Sequence, residues 1–250
     1  MGGKRVLAGF HGVTARLRHA PDSIEALYVD GDRRDGRMQQ LLDRARAAGV
    51  RITVSDGERL QRLAAGSTHQ GVVALCRDVD LARSLDDVLA QVDRQTLLLL
   101  LDGVTDPRNL GACMRTAEAA GAQALIVPRD RSASLTPVVA AAAAGASETL
   151  PLVSVTNLAR AMDEIRAAGV WIVGAAGEAE RSVYEIDLTG PLAWVLGAEG
   201  HGLRRLTREK CDWLARIPLQ GHAESLNVSV ACGVCLFETL RQRQAKAASA

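Results

Sequence analysis

Thr96-Leu-Leu-Leu-Leu-Leu101 is the stretch that most limits what this 250-residue chain can become. A strand with one wet face alternates apolar and polar residues. A run without such alternation suits a strand buried on both faces, at the centre of a parallel sheet with helices on either side. Parallel strands need crossover connections, and the sequence supplies them. Leu110 to Ala120, Leu135 to Ala144 and Leu158 to Ala168 read as helices, with strands at Ala124-Leu-Ile-Val127 and Val170-Trp-Ile-Val173. The expectation is an α/β sheet with ligand loops at the carboxyl ends of its strands. The loop after the first strand, Asp102-Gly-Val-Thr-Asp-Pro-Arg-Asn109, is rich in polar groups, and Asn109 is placed as the N-cap of the helix that closes at Gly121.

The second informative stretch is Trp194 to Phe237, which reads as strand, glycine loop, short basic helix, strand, polar loop and helix. The apolar run Leu192 to Leu196 stops at Gly197-Ala-Glu-Gly-His-Gly202, where glycines permit positive φ or close approach of a ligand. A second strand is expected over Trp213 to Leu219, ending in Gln220-Gly-His-Ala-Glu-Ser225. Leu226, Val230, Val234 and Phe237 then mark one face of the last helix. The glycines Gly197, Gly200 and Gly202 are not in the dinucleotide-binding order, so a Rossmann cofactor is disfavoured.

The front part is a smaller α/β unit. A helix is expected within Gly9 to His19, with Val13 and Leu17 on one face. A strand at Ala26 to Val29, a helix from Met38 to Ala48 ending at Gly49, a strand at Val50 to Val54, a short helix and a strand at Val72 to Leu75 follow. The polar, acidic stretch from Asp78 reads as a linker that becomes a helix, which sets domains at 1–77 and 93–250 with a linker at 78–92. Formal net charge is +1, divided unevenly. Residues 1–77 carry 13 basic and 8 acidic side chains, a balance of +5, whereas 78–250 carry 17 and 21. That asymmetry points the front part toward a polyanion, although 27 of the 30 cations are arginine, which genome composition alone would also produce.

The longest apolar run, Val138 to Ala144, is too short to span a bilayer, and Met1-Gly-Gly-Lys-Arg5 opens no secretory signal, so a cytoplasmic protein without membrane contact is expected. Five dispersed cysteines fit a reducing compartment. Cys232-Gly-Val-Cys235 matches a C-x-x-C pattern but falls inside an apolar helix, where two buried thiols are the better reading. The five histidines show no metal-ligand spacing, and no metal is expected. Arg115 stands out within its helix. Gly111, four residues earlier, bares the surface over which the side chain folds, toward Asn109 and the positive helix end, where an anion would join it. A solvated surface arginine is the alternative.

Three segments together carry a family pattern. DGVTDPRNLGACMRTAEAAGA (102–122), WVLGAEGHGLRR (194–205) and IPLQGHAESLNVSVACGVCLFE (217–238) resemble, in order and separation, the three motifs of the SpoU (TrmH) branch of SPOUT methyltransferases. VPRDRSAS (127–134), GEAE (177–180) and HQGVVA (69–74) extend the likeness to the ribosomal RNA guanosine-2′-O-methyltransferases of that branch. The resemblance implies a C-terminal SPOUT domain with a deep trefoil knot, a small L30e-like N-terminal domain that binds substrate RNA, S-adenosylmethionine as cofactor and a homodimer through the knotted domain. It further implies that Gly197, Ile217, Leu219 and Leu226 cradle the cofactor and that Asn109, Arg115, Glu199, Ser225 and Asn227 form the active site.

The implied reaction is methylation of a guanosine 2′-hydroxyl in 23S ribosomal RNA. Transfer RNA as substrate and a non-catalytic RNA-binding assembly factor are the rival readings. The sulfonium methyl is already electrophilic, so positioning of the ribose hydroxyl and a route for its proton are what the protein must add. An arginine pKa above about 12 makes Arg115 a poor base. It is expected instead to hold a phosphate and developing alkoxide charge, with Asn109 and Asn227 orienting the ribose and helix ends and Glu199 bracing Arg115 or the loop. His201 stands where an acidic residue is frequent in the family, and Ala140-Ala141 replace a basic pair.

Overall fold

The computed structural model describes residues 4–77 and 84–249, which form two compact units. The first comprises the chain to about residue 81 together with Ala144–Thr149. Its elements are β1 (Lys4–Ala8), α1 (Phe10–His19), β2 (Ile24–Asp30), α2 (Gly36–Ala47), β3 (Ile52–Ser55), α3 (Gly57–Leu63) and β4 (Val72–Arg77). The sheet runs β1-β4-β2-β3, antiparallel except for the β2–β3 pair, which α2 connects. The apolar stripe expected on α1 is core: Val13 and Leu17 are buried with Phe10, Leu27, Met38 and Leu41. Within this unit Glu148 accepts Nε of Arg16 at 3.0 Å, is also met by the terminal nitrogen of Arg16, and pairs with Arg5 at 2.8 Å, so one buried carboxylate serves two guanidiniums.

The second unit carries α4 (Leu85–Leu89), β5 (Leu97–Asp102), α5 (Pro107–Ala119), β6 (Ala124–Pro128), α6 (Pro137–Ala143), β7 (Leu152–Val155), α7 (Leu158–Ala167), β8 (Trp171–Ala175), β9 (Leu192–Gly197), α8 (Arg205–Glu209), β10 (Trp213–Ala215) and α9 (Val228–Ala248). Its six strands are all parallel in the order β10-β8-β9-β5-β6-β7. The leucine run of β5 is buried on both faces, every residue at 1% exposure or less, between β9 and β6. The chain leaves β5 toward β6 and leaves β9 toward the opposite edge, so the switch point lies between β5 and β9, where α/β sheets open a crevice for ligands. The linker expected at 78–92 falls partly outside the described residues. Its described part holds α4, and Leu85 and Val88 pack in the core beside Leu98 and Leu100.

Three local expectations are corrected. The N-cap of α5 is Asp106, which accepts the amides of Arg108 and Asn109 at 2.6 and 3.3 Å; Pro107, pre-set for the first helical position, starts the helix earlier, so the Asn109 side chain is not engaged in capping. The strand expected over Trp213 to Leu219 ends at Ala215, because Arg216 pairs with Ser182 instead and Pro218 has no N–H to continue a ladder. On α9 the buried stripe is Val228, Cys232, Cys235, Leu236 and Thr239, while Val230 and Phe237 are 51% and 47% exposed. That helix is apolar or small nearly all round at its start, and periodicity cannot choose between two such faces. The choice is made by Trp194 of β9, whose Nε1 donates to Thr239 at 2.9 Å, and by α5, from which Thr116 reaches to 3.8 Å of a Cβ placed on Gly233.

Candidate active site

At the carboxyl edge of the sheet Asp102 and Gly197 end β5 and β9 side by side in register. After Gly197 the chain turns back on itself: the amide of Gly202 donates to the carbonyl of Ala198 at 2.9 Å, and Gly200 and Gly202 hold φ of +78° and +63°, which favour glycine. Gly197 has no such φ. A Cβ there would lie 2.0 Å from the carbonyl carbon of Gly202 and 2.4 Å from the amide of Leu203, so glycine is required for the loop to close on its own strand. The close approach that glycine permits at 197 is thus, in the first place, that of the loop's own backbone. Asp102, buried at the end of β5, ties the same loop down: its Oδ2 accepts the amide of Arg204 at 2.9 Å, and its Oδ1 has the Nε of Arg204 at 3.5 Å, an ion pair without a hydrogen bond.

The turn aims Glu199 at the start of α9. Its Oε1 accepts Nδ2 of Asn227 at 2.5 Å, Nδ2 of Asn109 at 3.1 Å and the amide of Val228 at 3.4 Å, and Asn227 also donates to Oδ1 of Asn109 at 3.0 Å. Asn227 caps α9 through the amide of Ser229 at 2.9 Å. A carboxylate at the first turn of a 21-residue helix is placed where the helix dipole stabilises it. Glu199, expected to brace Arg115 or the loop, thus braces the two asparagines. Arg115 lies exposed on α5 with no partner among the described residues. Nor is Gly111 a bare surface for it to fold over: a Cβ there would meet Ala142 at 2.5 Å and the carbonyl of Val139 at 2.7 Å, so the glycine admits α6.

Beside this cluster is a pocket of about 400 Å³, lined by Gly197, Ile217, Leu219, Ser225 and Leu226, all singled out in the sequence, and by His201. Ser225 is exposed and reaches the site as part of the pocket wall. Residues to which the sequence reading gave no role sit in the same wall: Glu178, after β8 in the GEAE segment, is ion-paired with Arg208 of α8, whose buried Nε has no partner. Nothing in the local pattern couples positions thirty residues apart on separate elements. Behind the site Cys232 and Cys235 are buried free thiols, as expected for a pair inside an apolar helix.

Residues 96–237 match the SpoU rRNA Methylase family, and residues 6–82 match the family described as RNA 2′-O ribose methyltransferase substrate binding. The chain belongs to the SpoU methylase family. It is 55% identical over 243 residues to the 23S rRNA (guanosine-2′-O-)-methyltransferase RlmB of Ralstonia nicotianae, covering 97% of this chain and 98% of that one. Identity to the protein of the same name from Pseudomonas putida is 51% over 241 residues, 95% of this chain and 96% of that one. Among solved structures, the SpoU methyltransferase AviRb of Streptomyces viridochromogenes in complex with AdoMet aligns with a TM-score of 0.75 at 28% identity, over 97% of this chain and 92% of that one.

The pocket suits that ligand chemically. S-adenosylmethionine combines a flat aromatic base whose faces pack on apolar surface, two cationic centres and a carboxylate. The wall offers Ile217, Leu219 and Leu226 as apolar surface, the carboxylates of Glu178 and Glu224 for cations, and the unpartnered Nε of Arg208 for an anion. Its volume lies within the range of about 300–1,000 Å³ common to small-molecule sites.

Proposed function

We propose that this protein transfers a methyl group from S-adenosylmethionine to the 2′-hydroxyl of a guanosine in 23S ribosomal RNA. The observation that carries the reading is the hydrogen-bonded cluster of Asn109, Glu199 and Asn227, drawn from three distant segments to the mouth of a pocket that fits the cofactor. Gly197, Ile217, Leu219 and Leu226 hold the cofactor in this reading, and the bound cofactor supplies an electrophilic methyl. Asn109, oriented by Glu199 and Asn227, positions the ribose. Arg115, exposed with a free guanidinium, binds a phosphate beside the reacting hydroxyl and stabilises the charge that grows on its oxygen; the proton passes to solvent. Ser225 shapes the pocket rim.

The front unit, residues 1–77, serves as the RNA substrate-binding domain, 78–92 as the linker and 93–250 as the methyltransferase domain, with a deep trefoil knot in the last. Support for the knot is the convergence of segments 175–178, 196–203, 215–219 and 224–231 on one pocket. The enzyme works as a homodimer through this domain, supported by the exposed Val230 and Phe237 on α9. Its place is the cytoplasm, where its substrate is made; no described helix is long and apolar enough to cross a membrane. The test is mass spectrometry of nucleosides from unmodified 23S rRNA incubated with protein and cofactor. Appearance of 2′-O-methylguanosine is expected; its absence, or methylation of transfer RNA only, overturns the substrate.

A further inference from the structure

The loop after β6, Arg129-Asp-Arg-Ser-Ala-Ser134, takes no part in the pocket or in the cluster around Glu199, yet it is held to the same edge. The amide of Ala133 and the hydroxyl of Ser132 both donate to the carbonyl of Val104, at 2.9 and 3.3 Å, in the short segment that leads into α5 and Asn109. The amide of Arg129 is fixed to Val155 of β7 at 2.8 Å. Between these tethers Arg131 holds φ of +59°, a left-handed backbone that a non-glycine residue adopts only when its surroundings impose it. The loop is therefore pinned at both ends, with Arg129 and Arg131 exposed.

Charge makes the position informative. Most other arginines in this unit are spent on neighbours: Arg160 on Glu164, Arg166 on Asp212, Arg205 on Glu209, Arg241 on Glu238, and Arg243 on three backbone carbonyls. Among the described residues the side chains of Arg94, Arg108, Arg115, Arg129, Arg131 and Arg181 have no such partner; Arg94 precedes β5 and Arg181 follows β8, while the other four gather on α5 or the β6 loop, after β5 and β6. Segments 103–116 and 128–136 set these four arginines against two aspartates, and Asp106 already spends its Oδ1 on the cap of α5. Unpaired, planar guanidiniums on a pinned loop are suited to phosphodiester oxygens, which they meet in bidentate fashion.

We infer that Arg129 and Arg131, with Arg108 on the first turn of α5, grip the RNA backbone next to the target nucleotide, a phosphate contact made by the methyltransferase unit itself. The inference rests on RNA being the substrate. It is tested on the full-length protein by replacing Arg129 and Arg131 together with alanine and, separately, with lysine. Binding of a 23S rRNA transcript is followed by fluorescence anisotropy across about 50–200 mM salt, where phosphate contacts are weighted most strongly. Two lost contacts to single-stranded RNA reduce the slope of log affinity against log salt by about 1.4. The alanine pair should show that loss and a KM for RNA raised by about tenfold, with kcat and cofactor affinity kept; lysine should restore most of the slope, since a cation suffices for attraction. Calorimetric cofactor binding confirms that the variants are folded. An unchanged slope overturns the inference, and so does loss of the dimer on sizing, which would assign the arginines to a second copy. Failure of the wild type to methylate 23S rRNA would instead overturn the substrate, a distinguishable result.

Discussion

At Gly197 the backbone has no room for a side chain. The smallest replacement, Gly197→Ala, puts a Cβ at 2.0 Å from the backbone of Gly202, and neither strand nor turn is free to move. Overpacking of this kind costs about 1–3 kcal/mol or more, and it opens the turn that aims Glu199. Cofactor affinity should fall by well over about tenfold with the circular dichroism spectrum retained; calorimetry showing wild-type affinity would contradict the loop geometry. Arg115 permits a finer test. Lysine keeps the cation and loses the planar fork, so single-turnover methyl transfer should persist in part, whereas Arg115→Ala should lose on the order of a hundredfold at unchanged cofactor affinity. A general base would behave otherwise: lysine has the lower pKa, so its activity would climb with pH and overtake the wild type in alkali. That outcome would remove the anchoring role.

On the scale of elements, α9 has two apolar faces with different fates. One is closed by α5 and β9; the other leaves Val230 and Phe237 in solvent. Val230→Asp with Phe237→Asp should leave the fold intact and convert a dimer to a monomer on sizing, and a monomeric wild type would refute the proposed interface. The closed face holds thiols. A hydrogen bond with Cys113 and burial push the Cys232 thiol up, and burial alone pushes Cys235 up to about 12. Burial likewise pushes Cys76 up to about 11 and Cys211 to about 12. A thiol pKa raised by folding favours the neutral, folded form, so the stability it contributes is complete below the unfolded value of about 8.5 and is lost as pH rises toward the folded one. Urea midpoints should hold between about pH 7 and 8 and decline above about 9. Alkylation by iodoacetamide at pH 8 should be slow until the protein is unfolded; rapid labelling of native Cys232 or Cys235 would contradict their burial.

For the whole molecule the division of labour is testable by truncation. Every residue of the pocket and of the asparagine–glutamate cluster lies between 109 and 231, so the second unit alone should bind the cofactor and form the dimer. The cut has to respect the core. A start at residue 93 removes Leu85 and Val88, which pack against Leu98 and Leu100, and two buried side chains are worth about 3–6 kcal/mol. A fragment beginning at Ser84 should bind cofactor like the intact protein by calorimetry, while one beginning at 93 melts earlier. Both should lose most affinity for 23S rRNA in gel shifts, along with the front unit and its +5 charge. Undiminished RNA binding by the longer fragment would sink the assignment of RNA recognition to residues 1–77.

The sequence by itself determined the periodic features: the doubly buried β5, the core stripe of α1, the helices between parallel strands, the buried thiols of α9 and the order of the three motifs. These follow from burial along one element, which local spacing encodes. Only the tertiary structure decided that β9 enters between β5 and β8, which face of α9 is closed, and that Glu199 turns to Asn109 and Asn227, 90 and 28 residues away, instead of to Arg115. Spacing says which side chains share a face and is silent on what meets that face. The partner is settled by pleated strands in register, by a glycine that admits α6 at position 111, and by a carboxylate drawn to the asparagine amides at the positive end of a helix.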